Sequence, residues 1–354
     1  MEPRRGGQQP RGSAHAPAPL TQAPPPALAQ QHAADYQPPA WLRGSHLQSI
    51  LPSLPPRRYW TQWRARALIA AARPWMLDCG DGVRLQAWHS ANPASLQRTA
   101  VLLHGWEGSA DSCYVLSLAT LVYAQGYDIV RLNLRDHGGT QPLNRGLFHS
   151  CRLGDVTGAL RAIAGLCGAH SLYLAGFSLG GNFLLRACAE PGLPATVAGV
   201  VAISPVLDPD HTLRALEEGW PVYHAYFVRR WSRSLRFKQR CWPGVYDFTE
   251  LLRSRSLRIM TDVLVRECTD FADSAAYLDG YAITGARLQT LSVPARILAA
   301  DDDPIIPAAG LVRLSPTPLL RITRTAHGGH CGFLSGILAP AYADLYALGQ
   351  FARF

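Results

Sequence analysis

From residue 75 onward, short unbroken apolar runs alternate with longer stretches whose apolar positions recur at helical spacing. Residues 75–79 and 83–89 flank Asp81-Gly82, a tight-turn pair, and predict a β-hairpin. The run 99–103 is too continuously apolar for a half-exposed strand and predicts a buried one ending at His104-Gly105. A helix over 110–125 stops at Gly126, and a further buried strand covers 127–134. The cycle repeats with a helix over 152–167, a strand over 170–176, a helix over 179–189 and a strand over 197–203. Such alternation predicts an α/β fold, a mostly parallel sheet covered by helices on both faces. Residues 206–287 break the rhythm; they are rich in aromatics and arginine, show no clear strand, and predict an inserted helical lid. Strands over 295–299 and 319–323 resume the sheet, and 341–351 predicts a closing helix.

Upstream, residues 1–36 are dominated by Pro, Ala and Gln, offer little to bury, and predict a disordered tail. Order is expected to begin near Trp41, so 37–354 is expected to form the folded domain, with 206–287 as a lid within it. Of 354 residues, 48% are hydrophobic and 17% charged, enough for a sizeable core without disulfides or metals. The 34 basic residues exceed the 25 acidic ones, but Lys238 is the only lysine, and an arginine bias of this kind also tracks genome composition. Charge alone, with no recognition motif, does not indicate a nucleic-acid partner. No window holds the ~18 unbroken apolar residues of a membrane span, and the arginines near the N-terminus precede no apolar signal core, so a cytoplasmic protein is expected. Eight cysteines without a C-x-x-C pair fit reduced, buried thiols, and no metal site is expected.

Chemistry concentrates where predicted strands end. Gly176-Phe177-Ser178-Leu179-Gly180 joins a strand to a helix, and in this Gly-x-Ser-x-Gly arrangement the serine sits on a strained turn with its hydroxyl exposed above the sheet. A serine hydroxyl needs a base to take its proton. Downstream lie three acids, Asp301, Asp302 and Asp303, after strand 295–299, and two histidines, His327 and His330, after strand 319–323. Asp303 is preferred because Pro304 and Pro307 fix the turn after it, and His330 because Gly328-Gly329 gives its loop the freedom to reach Ser178. Oxyanion donors are expected from the backbone amides of Leu179 and of Trp106, in the loop His104-Gly105-Trp106-Glu107-Gly108.

With these residues, the chain resembles the α/β-hydrolase superfamily and, more narrowly, the YheT-like hydrolases, from about Pro39 to the C-terminus. The likeness rests on Trp41-Leu42-Arg43-Gly44-Ser45-His46-Leu47-Gln48, His104 to Ser109, Phe148-His149-Ser150, Gly176 to Asn182, Asp302-Asp303-Pro304 and Gly328 to Phe333. Arg135-Asp136-His137-Gly138 departs from the Arg-Gly often found in relatives. The resemblance implies a Ser178, Asp303 and His330 triad that hydrolyses carboxylic esters, with short- to medium-chain or lipid-like acyl groups, through an acyl-enzyme and without a cofactor. Acyl transfer to an alcohol uses the same triad and is an alternative. A non-catalytic lipid-binding module is a second one: Tyr223, Phe227 and Trp231 recur every four residues among Arg229, Arg230, Arg233, Arg236, Lys238 and Arg240. These aromatics are expected to pack on the sheet domain with the arginines in solvent, where they could also meet a membrane surface.

Overall fold

The structure, a computed structural model, describes residues 29–33 and 35–354. Among these, nine strands form one sheet: β1 (Ala29–His32), β2 (Ala72–Asp78), β3 (Arg84–Ser90), β4 (Arg98–Leu103), β5 (Asp128–Leu132), β6 (Ser171–Phe177), β7 (Val197–Ile203), β8 (Ala295–Ala300) and β9 (Leu320–Thr325). The spatial order is β1-β9-β8-β7-β6-β4-β5-β3-β2. The hairpin β2-β3 runs antiparallel, β3 pairs antiparallel with β5, and every other pair is parallel.

Twelve helices accompany the described sheet: α1 (Ser45–Ile50), α2 (Arg57–Arg64), α3 (Arg66–Ala71), α4 (Cys113–Tyr123), α5 (Leu153–Cys167), α6 (Leu179–Ala189), α7 (Pro209–Glu218), α8 (Pro221–Cys241), α9 (Thr249–Arg253), α10 (Leu257–Cys268), α11 (Ser274–Asp279) and α12 (Tyr342–Phe351). The continuous apolar strands are buried on both sides, as their lack of alternation predicts. Ala100, Leu102, Tyr173, Ala175, Val201 and Ile203 face α4 and α12, whereas Val101, Leu103, Leu172, Leu174, Val200 and Ala202 face α5 and α6. The stretch between β7 and β8 folds as α7 to α11, and none of the helices among the described residues is long and apolar enough to cross a membrane.

Two expectations need correction. Residues 1–28 and 34 of the expected tail lie outside the described residues, but Ala29–His32 forms β1, paired with Arg321–Arg324 of β9. A sheet edge offers unpaired amides and carbonyls, so a segment with little to bury still finds hydrogen-bond partners there. Among the arginines of α8, the side chain of Lys238 is 1% exposed and bonded to Asp136. At Trp41, the order-giving residue is the neighbouring Leu42, fully buried, while Trp41 itself is exposed.

Candidate active site

The loops that follow β4, β6, β8 and β9 leave the carboxyl edge of the sheet together, the edge where parallel α/β sheets hold their ligands. Ser178 stands between β6 and α6 with φ of 52° and ψ of −120°, a left-handed turn that few non-glycine residues adopt. The flanking glycines make that turn possible. A Cβ on Gly176 would lie 2.6 Å from the Gly180 carbonyl carbon, and one on Gly180 would lie 2.4 Å from the His104 carbonyl oxygen. The elbow therefore presses directly on the end of β4, which sets the His104 loop beside Ser178.

The structure separates the three acids. Asp301 pairs with Arg324 at 2.7 Å, and Asp302 accepts the Gly329 amide at 2.9 Å with His327 Nδ1 3.7 Å away. Asp303 Oδ2 lies 2.9 Å from His330 Nδ1, and its Oδ1 accepts the Ile305 and Ile306 amides at 2.8 and 2.9 Å. Two backbone donors thus hold the carboxylate while its other oxygen fixes the ring. Burial pulls the His330 pKa down, but the charge of Asp303, aided by Cys331, outweighs it and holds the group well above the usual histidine value. With Nδ1 committed to Asp303, Nε2 is the nitrogen left for chemistry. Ser178, Leu179, Trp106 and His330 all line one cavity of about 760 Å³.

The block Trp41 to Gln48, with Ser49 after it, explains how the His330 loop is held. Ser49 Oγ accepts the His330 amide at 2.8 Å. The fully buried Gln48 accepts the Leu334 amide at 2.7 Å and donates to the Leu42 and Leu334 carbonyls. A Cβ on Gly329 would sit 2.4 Å from the Ser45 carbonyl oxygen, and one on Gly332 would sit 2.0 Å from that of Gln48. Two sequence blocks some 280 residues apart are thus halves of one contact. Asn182, the last residue of the serine motif, donates to the carbonyls of Val206 and Tyr281 and ties α6 to the chain leading into α7 and out of α11.

Around these groups, further residues brace the loop after β4. His104 is fully buried, and burial pushes its pKa down to about 3. Its neutral ring donates from Nδ1 to the Gly105 carbonyl at 2.7 Å and accepts the Leu134 amide at Nε2, bracing the loop that carries Trp106. Trp106 stacks on Phe227 with centroids 5.1 Å apart and meets Trp231 edge-on at 5.3 Å, so the apolar face of α8 packs on this loop. Glu107, buried at φ of 56°, lines the cavity; burial, opposed by Arg230 and reinforced by Asp136, pushes its carboxyl up to about 7. It belongs to the block His104 to Ser109, although no periodicity marks it as buried.

An open, mostly parallel sheet with a serine elbow after one strand and an acid–histidine pair after two later ones defines an α/β hydrolase. Residues 100–337 match the alpha/beta hydrolase fold family, and the chain belongs to it. The Escherichia coli K12 protein YheT, which carries an esterase designation, is 28% identical over 86% of this chain and 88% of its own length. Phospholipase ABHD3 of Mus musculus is 24% identical over 85% of this chain and 74% of its own. Among solved structures, the Pyrococcus furiosus esterase Pf2001 superimposes with a TM-score of 0.52 at 14% identity, covering 80% of this chain and 92% of that one, a likeness of fold.

Proposed function

We propose that the protein is a serine hydrolase of carboxylic esters. The observation that carries this reading is the hydrogen bond of His330 Nδ1 to Asp303, in a cavity that also receives Ser178 from its strained turn. His330 Nε2 takes the proton of Ser178 as Oγ attacks the ester carbonyl, and Asp303 stabilises the imidazolium. The amides of Leu179 and Trp106 receive the oxyanion; loss of one such donor costs about 3 kcal/mol of transition-state stabilisation. The alcohol leaves with the proton from His330, and water activated by the same ring frees the acid from Ser178.

The cavity favours an acyl chain of some length over a small polar acid. Leu213, Leu216, Leu264 and Leu278, from α7, α10 and α11, line it, and these helices act in this reading as a lid over the serine. Hydrolysis of a nitrophenyl ester series of rising chain length, with Ser178→Ala as control, tests the proposal. Turnover that peaks beyond the acetate and is abolished by Ser178→Ala supports it; turnover retained by Ser178→Ala refutes it. If added alcohol diverts most product to a new ester, the activity is acyl transfer.

A further inference from the structure

We infer that the rim of this cavity is a docking surface for an anionic lipid bilayer, built jointly by α2, its flanking turns and the first half of α8. This goes beyond the esterase reading, since it concerns where the cavity opens rather than what happens inside it. Leu54, Arg58 and Gln62 line the cavity from the first segment, and Val222, Tyr226 and Arg230 line it from the second. Helix α1, just before the first segment, packs on the second through His46, whose Nδ1 lies 3.0 Å from the Tyr223 hydroxyl and whose ring lies 4.5 Å from that of Trp220.

Both segments are exposed where they should be polar. Helix α2 buries Arg57 and Thr61, and turns Arg58 and Gln62 to the cavity. Tyr59 and Trp63, one stripe further round, are 65% and 62% exposed. Trp220, Val222 and Tyr226 are exposed at the start of α8. Isolated exposed apolar residues are ordinary, but here Val222 and Tyr226 line the cavity itself, and Tyr59, Trp63 and Trp220 lie exposed on the same two segments that line it.

Charge selects the occupant. No Asp or Glu occurs between Asp35 and Asp78, where Arg43, Arg58, Arg64, Arg66 and Arg73 lie, nor between Glu218 and Asp247, where α8 carries its arginines. Asp111, an exposed carboxylate that also lines the cavity, is paired with Arg131 at 2.6 Å. The Arg66 guanidinium sits 4.5 Å from the Trp63 ring centroid, so charge and aromatic surface are presented together. Aromatic rings with one apolar and one wet end, set among arginines, match the headgroup layer of an anionic membrane.

Sedimentation of the full chain bearing Ser178→Ala, which leaves the lipid intact, with phosphatidylcholine vesicles prepared with and without phosphatidylserine tests this. Pelleting should be at least about tenfold stronger with phosphatidylserine and should weaken as salt rises. Adding Tyr59→Ser and Trp63→Ser should reduce it about tenfold, while the same pair in the wild-type background keeps its turnover of a water-soluble ester. Equal pelleting with both vesicle types, none with either, indifference to the Tyr59 and Trp63 pair, or capture of a DNA duplex as tight as that of the anionic vesicles would overturn the inference.

Discussion

Lys238, the only lysine in the chain, donates to Asp136 Oδ1 at 2.8 Å in the protein interior. The same ammonium donates to the Asn144 and Gly146 carbonyls, while Asp136 Oδ2 accepts the Phe148 amide. This clasp joins α8 to the loop after β5 that carries Arg135-Asp136-His137-Gly138. Burial lowers the lysine pKa and raises that of the aspartate, each partly offset by the other's charge. Removing one partner leaves the other charged and buried. Lys238→Met should therefore destabilise by about 3–5 kcal/mol, and adding Asp136→Asn should restore part of the loss, as read from urea unfolding midpoints.

Glu107 gives a pH-dependent counterpart. Its folded-state pKa, near 7, lies above the ordinary value of 4.5, so the unfolded chain releases the proton more readily. The resulting cost is absent below about pH 4.5 and grows to its full size above about pH 7. Glu107→Gln should match wild type in stability at pH 4 and exceed it by about 2–3 kcal/mol at pH 8, measured by denaturant titration at both pH values.

Two glycines separate constraint from freedom. A Cβ on Gly180 meets the backbone of Leu103 and His104 at 2.5 and 2.4 Å, and neither can move without shifting β4. Gly165, exposed in α5, has nothing within 4 Å of the point where a Cβ would stand. Gly180→Ala should yield little folded protein, whereas Gly165→Ala should stabilise by about 0.5–1 kcal/mol, with thermal melts as the readout.

Catalysis in the proposed scheme needs a neutral His330. Because the charge of Asp303 outweighs burial and holds that group well above its ordinary value of 6.5, kcat/KM should still be rising with pH beyond the usual histidine range. Asp303→Asn should move the rise to lower pH and cut the plateau by roughly 10³–10⁴-fold. For stability the sign runs the other way: the Asp303–His330 pair contributes fully below pH 6.5, and its contribution is lost as pH rises through the raised folded-state value.

The buried strands were legible because each reads locally as an apolar run; β7 and α6 fall at 197–203 and 179–189, as their patterns indicate. Ser178, Asp303 and His330 were legible because each follows such a strand. What depends on contacts between distant segments was not. Nothing in 29–32 marks it as a strand, since the β9 edge induces it. Lys238 reads as one more basic residue of an amphipathic stretch, and only the loop from 136 to 146 turns it inward. The block ending in Gln48 was recognisable as a motif, but its purpose, to hold the His330 loop, becomes visible only where the two touch.

The central claim is that Ser178 is the nucleophile. Reaction with a fluorophosphonate followed by peptide mass spectrometry tests it most directly, because the reagent marks a serine activated by a neighbouring base. A single adduct on Ser178, absent from Ser178→Ala and strongly slowed in His330→Ala, is the predicted result. An adduct on another residue, or labelling of Ser178→Ala at the wild-type rate, would contradict the account.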